Sequence, residues 1–113
     1  MERLEVKRGD TVVIVAQGEL GRPRPAVIVQ TDELTDATSV LLCPITSDIT
    51  ESLPVRPIVE ADENNGLRVR SQIMTDKMLA LPRNRVRRVI GRIDSETSAR
   101  LDTALMIVLG LAR

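Results

Sequence analysis

The chain of 113 residues has no histidine, tryptophan, tyrosine or phenylalanine, and its one cysteine is Cys43. Without histidine and with a single thiol, zinc-ligand sets and Ser-His or Cys-His nucleophile pairs are excluded. One cysteine forms no internal disulfide, so a cytoplasmic setting is the default expectation. The lack of aromatics means that a flat ligand must rest on arginine planes or aliphatic side chains. No apolar run approaches the ~18–20 residues of a membrane span, and the opening MERLEVKRGD has no signal-peptide-like apolar stretch, so no membrane partner is expected. No metal or other cofactor is expected either.

What is present suits one compact domain over residues 1–113, with 42% apolar and 28% charged residues and a modest core that a second copy would enlarge. Net charge is zero, from 16 basic and 16 acidic residues, but the signs are segregated. Between Thr31 and Glu63 stand eight acids against one base, Arg56; between Arg68 and Arg92 stand eight bases against one acid, Asp76. A clustered basic face is the usual footprint of a polyanion site, although two such blocks can also neutralise each other across a fold.

The pattern predicts a valine-rich strand over Thr11–Ala16, a loop from Gln17 to Pro25, and strands over Ala26–Gln30 and Thr38–Leu42, the last leading into Cys43-Pro44-Ile45-Thr46. Proline beside Arg22 and Arg24 holds both in extended backbone. Pro44 marks a strand end, an edge or a bulge. A short edge strand near Ile58 and Val59, a tight turn at Asn64-Asn65-Gly66 and an alternating, half-exposed strand from Leu67 to Met74 follow. Further extended pieces lie at Leu79–Leu81, Val86 and Val89-Ile90. Asp94 or Ser95 caps a helix carrying Leu101, Ala104, Leu105, Val108 and Leu109 at helical spacing, and Gly110 ends it. With Met106, Ile107 and Leu111 the end of this helix is apolar nearly all round, which suits a subunit contact. The expected architecture is mainly β: a small antiparallel barrel of five to seven strands with a C-terminal helix.

The order of these features resembles the MazF/PemK family. The resemblance is carried by Arg8-Gly9-Asp10, Arg24-Pro25-Ala26-Val27-Ile28-Val29, Pro44-Ile45-Thr46-Ser47, Ser71-Gln72-Ile73-Met74-Thr75-Asp76-Lys77, Ile90-Gly91-Arg92-Ile93 and the ending Leu105 to Leu111. It implies an SH3-like barrel of the CcdB/PemK type. It also implies a homodimeric toxin of a toxin–antitoxin pair that cuts single-stranded RNA at short motifs without a metal and is restrained by a cognate antitoxin. Relatives often have an aromatic residue where this chain has Val12-Val13-Ile14, and an aspartate where it has Ser71.

The resemblance further implies Arg24 and Thr46 as the catalytic pair. Their chemistry fits attack of a 2′-hydroxyl on the adjacent phosphorus, giving a 2′,3′-cyclic phosphate and a 5′-hydroxyl. A guanidinium offers a planar fork to phosphate oxygens, and a threonine hydroxyl can donate to a phosphoryl oxygen. Glu19, Arg22, Ser47, Arg70, Ser71 and Gln72 are the expected RNA-binding residues, Glu19 also being a candidate proton acceptor. Each has a structural alternative: Ser47 can support a turn, Gln72 can sit in the barrel wall, and arginines on a wet face can be merely solvated. Cys43 reads as core. The expected partners are single-stranded RNA, an acidic antitoxin that folds along the basic face, and a second copy of the chain. The alternatives are a non-enzymatic gyrase poison of the CcdB type and an inactive RNA-binding module.

Overall fold

A computed structural model describes residues 4–15, 22–34 and 36–112. Seven strands form one curled sheet: β1 (Asp10–Val15), β2 (Pro23–Ile28), β3 (Ser39–Thr46), β4 (Ile58–Val59), β5 (Ser71–Ile73), β6 (Leu79–Pro82) and β7 (Val86–Arg92). Helix α1 (Ser95–Val108) follows. The path through the sheet is β4-β5-β3-β2-β1-β7, with β6 also paired to β3, and every pairing is antiparallel. This is the small antiparallel barrel-like sheet with a C-terminal helix that the sequence pattern predicts.

Strands β2 and β3 are apolar at successive positions because both faces are covered. Val27, Cys43 and Ile45 face one core, completed by Ile73, Leu101 and Leu105, so α1 closes that side. Ala26, Ile28 and Leu42 face the other, with Val12, Ile14, Val40, Leu81 and Val86. A strand buried on both faces loses its period-2 signal and becomes a continuous apolar run.

The structure corrects the bounds of three strands. β3 does not end at Leu42 but continues through Pro44 to Thr46. Along Ser39–Leu42 it pairs with β6, and at Ile45–Thr46 it pairs with β5. Pro44, which has no N–H, stands where one partner gives way to the other. β2 spans Pro23–Ile28 rather than Ala26–Gln30, since an extended proline fits the register that sets Pro23 opposite Val15 and Pro25 opposite Val13. The strand expected from Leu67 is confined to Ser71–Ile73. Gly66 turns the chain at a φ of 70°, and the Leu67 N–H is taken by Asn65 Oδ1 at 3.0 Å rather than by a neighbouring strand.

Helix α1 starts as predicted, Asp94 accepting the Thr97 N–H at 2.7 Å. It ends in a Schellman motif: the Leu111 N–H reaches the Met106 carbonyl at 2.7 Å, the Gly110 N–H reaches that of Ile107 at 3.0 Å, and Gly110 has a φ of 75°. Met106, Ile107, Leu109 and Leu111 are exposed there. Among the described residues no helix is long and apolar enough to cross a membrane.

Candidate functional site

The β2–β3 ladder runs Ile28↔Leu42, Val27↔Cys43, Ala26↔Pro44 and stops, although β2 reaches back to Pro23 and β3 on to Thr46. The Val29 N–H bonds to the Leu41 carbonyl, so alternate residues of β2 turn their N–H toward β3; at Pro25 and Pro23 that donor is missing, and the ladder lacks the hydrogen bonds to close further. Where the strands part, a cleft of about 500 Å³ opens. Continuing the observed register by two residues sets Arg24 against Thr46, and both line the cleft.

Ser47, Arg68, Ser71 and Arg88 share the lining, over an apolar floor that includes Val13, Ile45, Leu67 and Ile90. No carboxylate of the described residues lines it, so the cleft is basic despite the neutral total charge. Thr46 is half-buried, and its Oγ1 accepts the Asp48 N–H at 3.0 Å. That bond uses a lone pair and leaves the hydroxyl proton available for donation. Arg24 and Ser47 are exposed.

Of the other expected site residues among those described, only Ser71 also reaches the cleft lining. Ser71 is buried and donates its hydroxyl to the Val69 carbonyl at 2.8 Å. Gln72 is 1% exposed. Its Oε1 accepts the Thr50 N–H at 3.0 Å and its Nε2 donates to the Thr50 carbonyl at 3.1 Å, so the amide fastens the loop after Thr46. Arg70 pairs with Glu60 at 2.8 Å and lies outside the cleft lining, as does exposed Arg22. Glu19 lies outside the described residues.

The loop over residues 47–57 is held at further points. Thr75 Oγ1 donates to the Val55 carbonyl at 2.6 Å, and the Ile73 N–H to that of Pro57 at 2.9 Å. Arg56 forms a two-pronged ion pair with Asp76, whose hydrogen bonds hold the Asp76 carboxyl below the usual carboxylate range. Cys43 is fully buried, and burial pushes its thiol up to about 12, so it is core and no nucleophile.

Sequence reasoning missed the placement of Arg68 and Arg88. Both belong to the basic stretch, but which members of that stretch face the cleft depends on a contact between Gly66 and β7. There a Cβ on Gly66 would stand 2.3 Å from the Ile90 carbonyl oxygen. The two glycines, Gly66 and Gly91, were the available signal.

A protein-family model described as "PemK-like, MazF-like toxin of type II toxin-antitoxin system" matches residues 7–109. A probable endoribonuclease MazF of Mycolicibacterium smegmatis is 33% identical over 108 residues, covering 95% of this chain and 99% of its own length. Endoribonuclease MazF9 of Mycobacterium tuberculosis is 28% identical over 99 residues, 82% of this chain and 83% of that protein. The solved structure of Mycobacterium tuberculosis toxin MazF-mt6 superposes with a TM-score of 0.79 at 22% identity, covering 92% of this chain and 99% of that one. A mycobacterial endoribonuclease solved with its cognate antitoxin gives 0.79 at 19% identity, over 96% and 99%.

Proposed function

The chain belongs to the PemK-like, MazF-like toxins of type II toxin–antitoxin systems, and from that premise we propose that it is an endoribonuclease whose cleft between β2 and β3 cuts single-stranded RNA without a metal. The observation that carries the site is that Arg24 and Thr46 both line the basic cleft where β2 and β3 part, and that no described carboxylate lines it.

The reaction needs little from the protein beyond geometry and charge. The substrate's 2′-oxygen forms a bond to phosphorus, the bond from phosphorus to the 5′-oxygen breaks, and one proton leaves the first oxygen while another reaches the second. Arg24 presents its guanidinium fork to the non-bridging oxygens, where negative charge grows. Thr46, its Oγ1 oriented by the Asp48 N–H, donates its hydroxyl proton to the same phosphoryl group. One well-aimed donor of this kind contributes about 2.7–4 kcal/mol to lowering the barrier. Ser47 adds a hydroxyl at the rim, while Gln72 fastens the loop that begins beside Thr46.

Two partners complete the proposal. The exposed apolar end of α1, with Met106, Ile107, Leu109 and Leu111, suits a two-fold contact with a second copy. An acidic antitoxin segment would be attracted to the arginine-lined cleft, and one fold relative was solved with its cognate antitoxin.

The test is cleavage of a long single-stranded RNA in excess EDTA by the protein and by Arg24→Ala. Discrete fragments ending in a cyclic phosphate, from the unsubstituted protein alone, support the reading. No cleavage by folded, dimeric protein overturns it and directs attention to gyrase poisoning or to RNA binding without cleavage.

A further inference from the structure

Three of the seven arginines of the basic stretch are engaged elsewhere. Arg70 is held by Glu60, Arg92 by Asp10 and the Arg8 carbonyl, and Arg83 by the carbonyls of Ala37 and Leu34. The guanidinium groups of Arg68 and Arg88 have no hydrogen bond or ion pair among the described residues, and both line the cleft.

They come from distant parts of the chain, yet their backbones are fixed to each other. A Cβ on Gly66 would stand 2.3 Å from the Ile90 carbonyl oxygen, and one on Gly91 would stand 2.3 Å from that of Asn64. The Arg92 N–H donates to the Asn64 carbonyl at 2.7 Å, and Thr11 Oγ1 to that of Asn65 at 2.7 Å. Backbone thus lies directly on backbone beside both arginines. Two cations in one cleft with no carboxylate repel each other until an anion enters.

We propose that Arg68 and Arg88 form a second anion subsite that holds a backbone phosphate of single-stranded RNA flanking the one at Arg24 and Thr46. The inference rests on the RNA-cleaving reading. It favours RNA because the same cleft holds the proposed catalytic pair, whose reacting group is itself a backbone phosphate, and phosphates recur at every nucleotide. The paired guanidinium forks match phosphate oxygens.

The experiment is fluorescence anisotropy over a salt series, using a labelled 2′-O-methyl single-stranded RNA that cannot be cut. Arg68→Gln and Arg88→Gln are compared with the unsubstituted protein and with Arg87→Gln, an exposed neighbour on β7 outside the cleft lining. The control removes the same charge. Thermal melts confirm that all three variants are folded.

The expected result is a plot of log binding constant against log salt that is shallower by about 0.7 in each cleft variant, the change that releasing one phosphate from the protein produces, with Arg87→Gln unchanged. Equal changes in all three variants would show a diffuse field and overturn the subsite. Unchanged cleft variants would overturn it while leaving RNA cleavage standing. If an acidic peptide, and not RNA, loses affinity in Arg68→Gln and Arg88→Gln, the subsite belongs to a protein partner and the proposal fails. If the unsubstituted protein neither binds this RNA nor cuts ordinary RNA in EDTA, the functional reading fails as well.

Discussion

Arg56 meets Asp76 through two parallel hydrogen bonds, Nε to Oδ1 at 2.7 Å and Nη2 to Oδ2 at 2.9 Å. Arg56 is the one base of the acidic stretch, and Asp76 the one acid of the basic stretch. The two exceptions to the charge segregation therefore find each other, and in doing so they clamp the loop after Thr46 to the segment after β5. Arg56→Ala should lower stability by about 1 kcal/mol in chemical denaturation, the pair being partly open to solvent.

The same pair sets an acid limit. Asp76 is held below its ordinary value of 3.8 by the Arg56 hydrogen bonds. Its contribution to stability is complete above 3.8 and disappears as the pH falls through the lowered folded value. Urea titrations from neutral pH to pH values below that range should show this loss in the unsubstituted protein and a flatter profile in Asp76→Asn. Identical acid profiles would contradict the assignment.

Gln72→Ala should cost about 1–3 kcal/mol, because it strands the N–H and carbonyl of Thr50. Since the loop it fastens begins beside Thr46, kcat for RNA should fall more than KM rises. Thermal melting and steady-state cleavage check the two parts separately. A variant of unchanged stability would remove Gln72 from this role.

Gly91→Ala should be among the most damaging one-carbon additions, costing at least about 1–3 kcal/mol by overpacking. The new methyl group meets the Asn64 carbonyl oxygen at 2.3 Å, and backbone cannot swing aside as a side chain can. Gly110→Ala is the instructive comparison, because nothing lies within 4 Å of its added carbon and only its φ of 75° resists. Chemical denaturation of both variants should rank Gly91→Ala as the less stable.

Cys43 should ignore thiol reagents in the folded protein and react only at the rate of opening. Its thiol is pushed from 9.0 to about 12 by burial, so between those values the unfolded chain releases a proton that the folded chain keeps. Stability should decline as the pH rises above 9.0, and Cys43→Ala should lessen that decline. Labelling of native protein within seconds would contradict the burial.

The fold was legible because its signals are local and redundant. Valine-rich β1, the Asp94 cap, the helical spacing of Leu101, Ala104 and Leu105, and Gly110 all agree with the tertiary structure. Arg24 and Thr46, to which the motif order points, both line the cleft. What stayed hidden depends on contacts between distant residues. Nothing near Leu67 announces that its amide bonds to Asn65 instead of a strand, and nothing near Gln72 announces Thr50 as its partner. Arg70 and Arg68 look equivalent in the chain, yet Glu60 claims one and the cleft receives the other.

Val69 stands 54% exposed on the cleft rim in a chain without a single aromatic ring. The protein is therefore dark under indole excitation, and a lone tryptophan introduced as Val69→Trp would fluoresce against no background. Its emission would follow occupancy of the cleft directly, turning the absence of aromatic residues into an optical window on substrate and antitoxin alike.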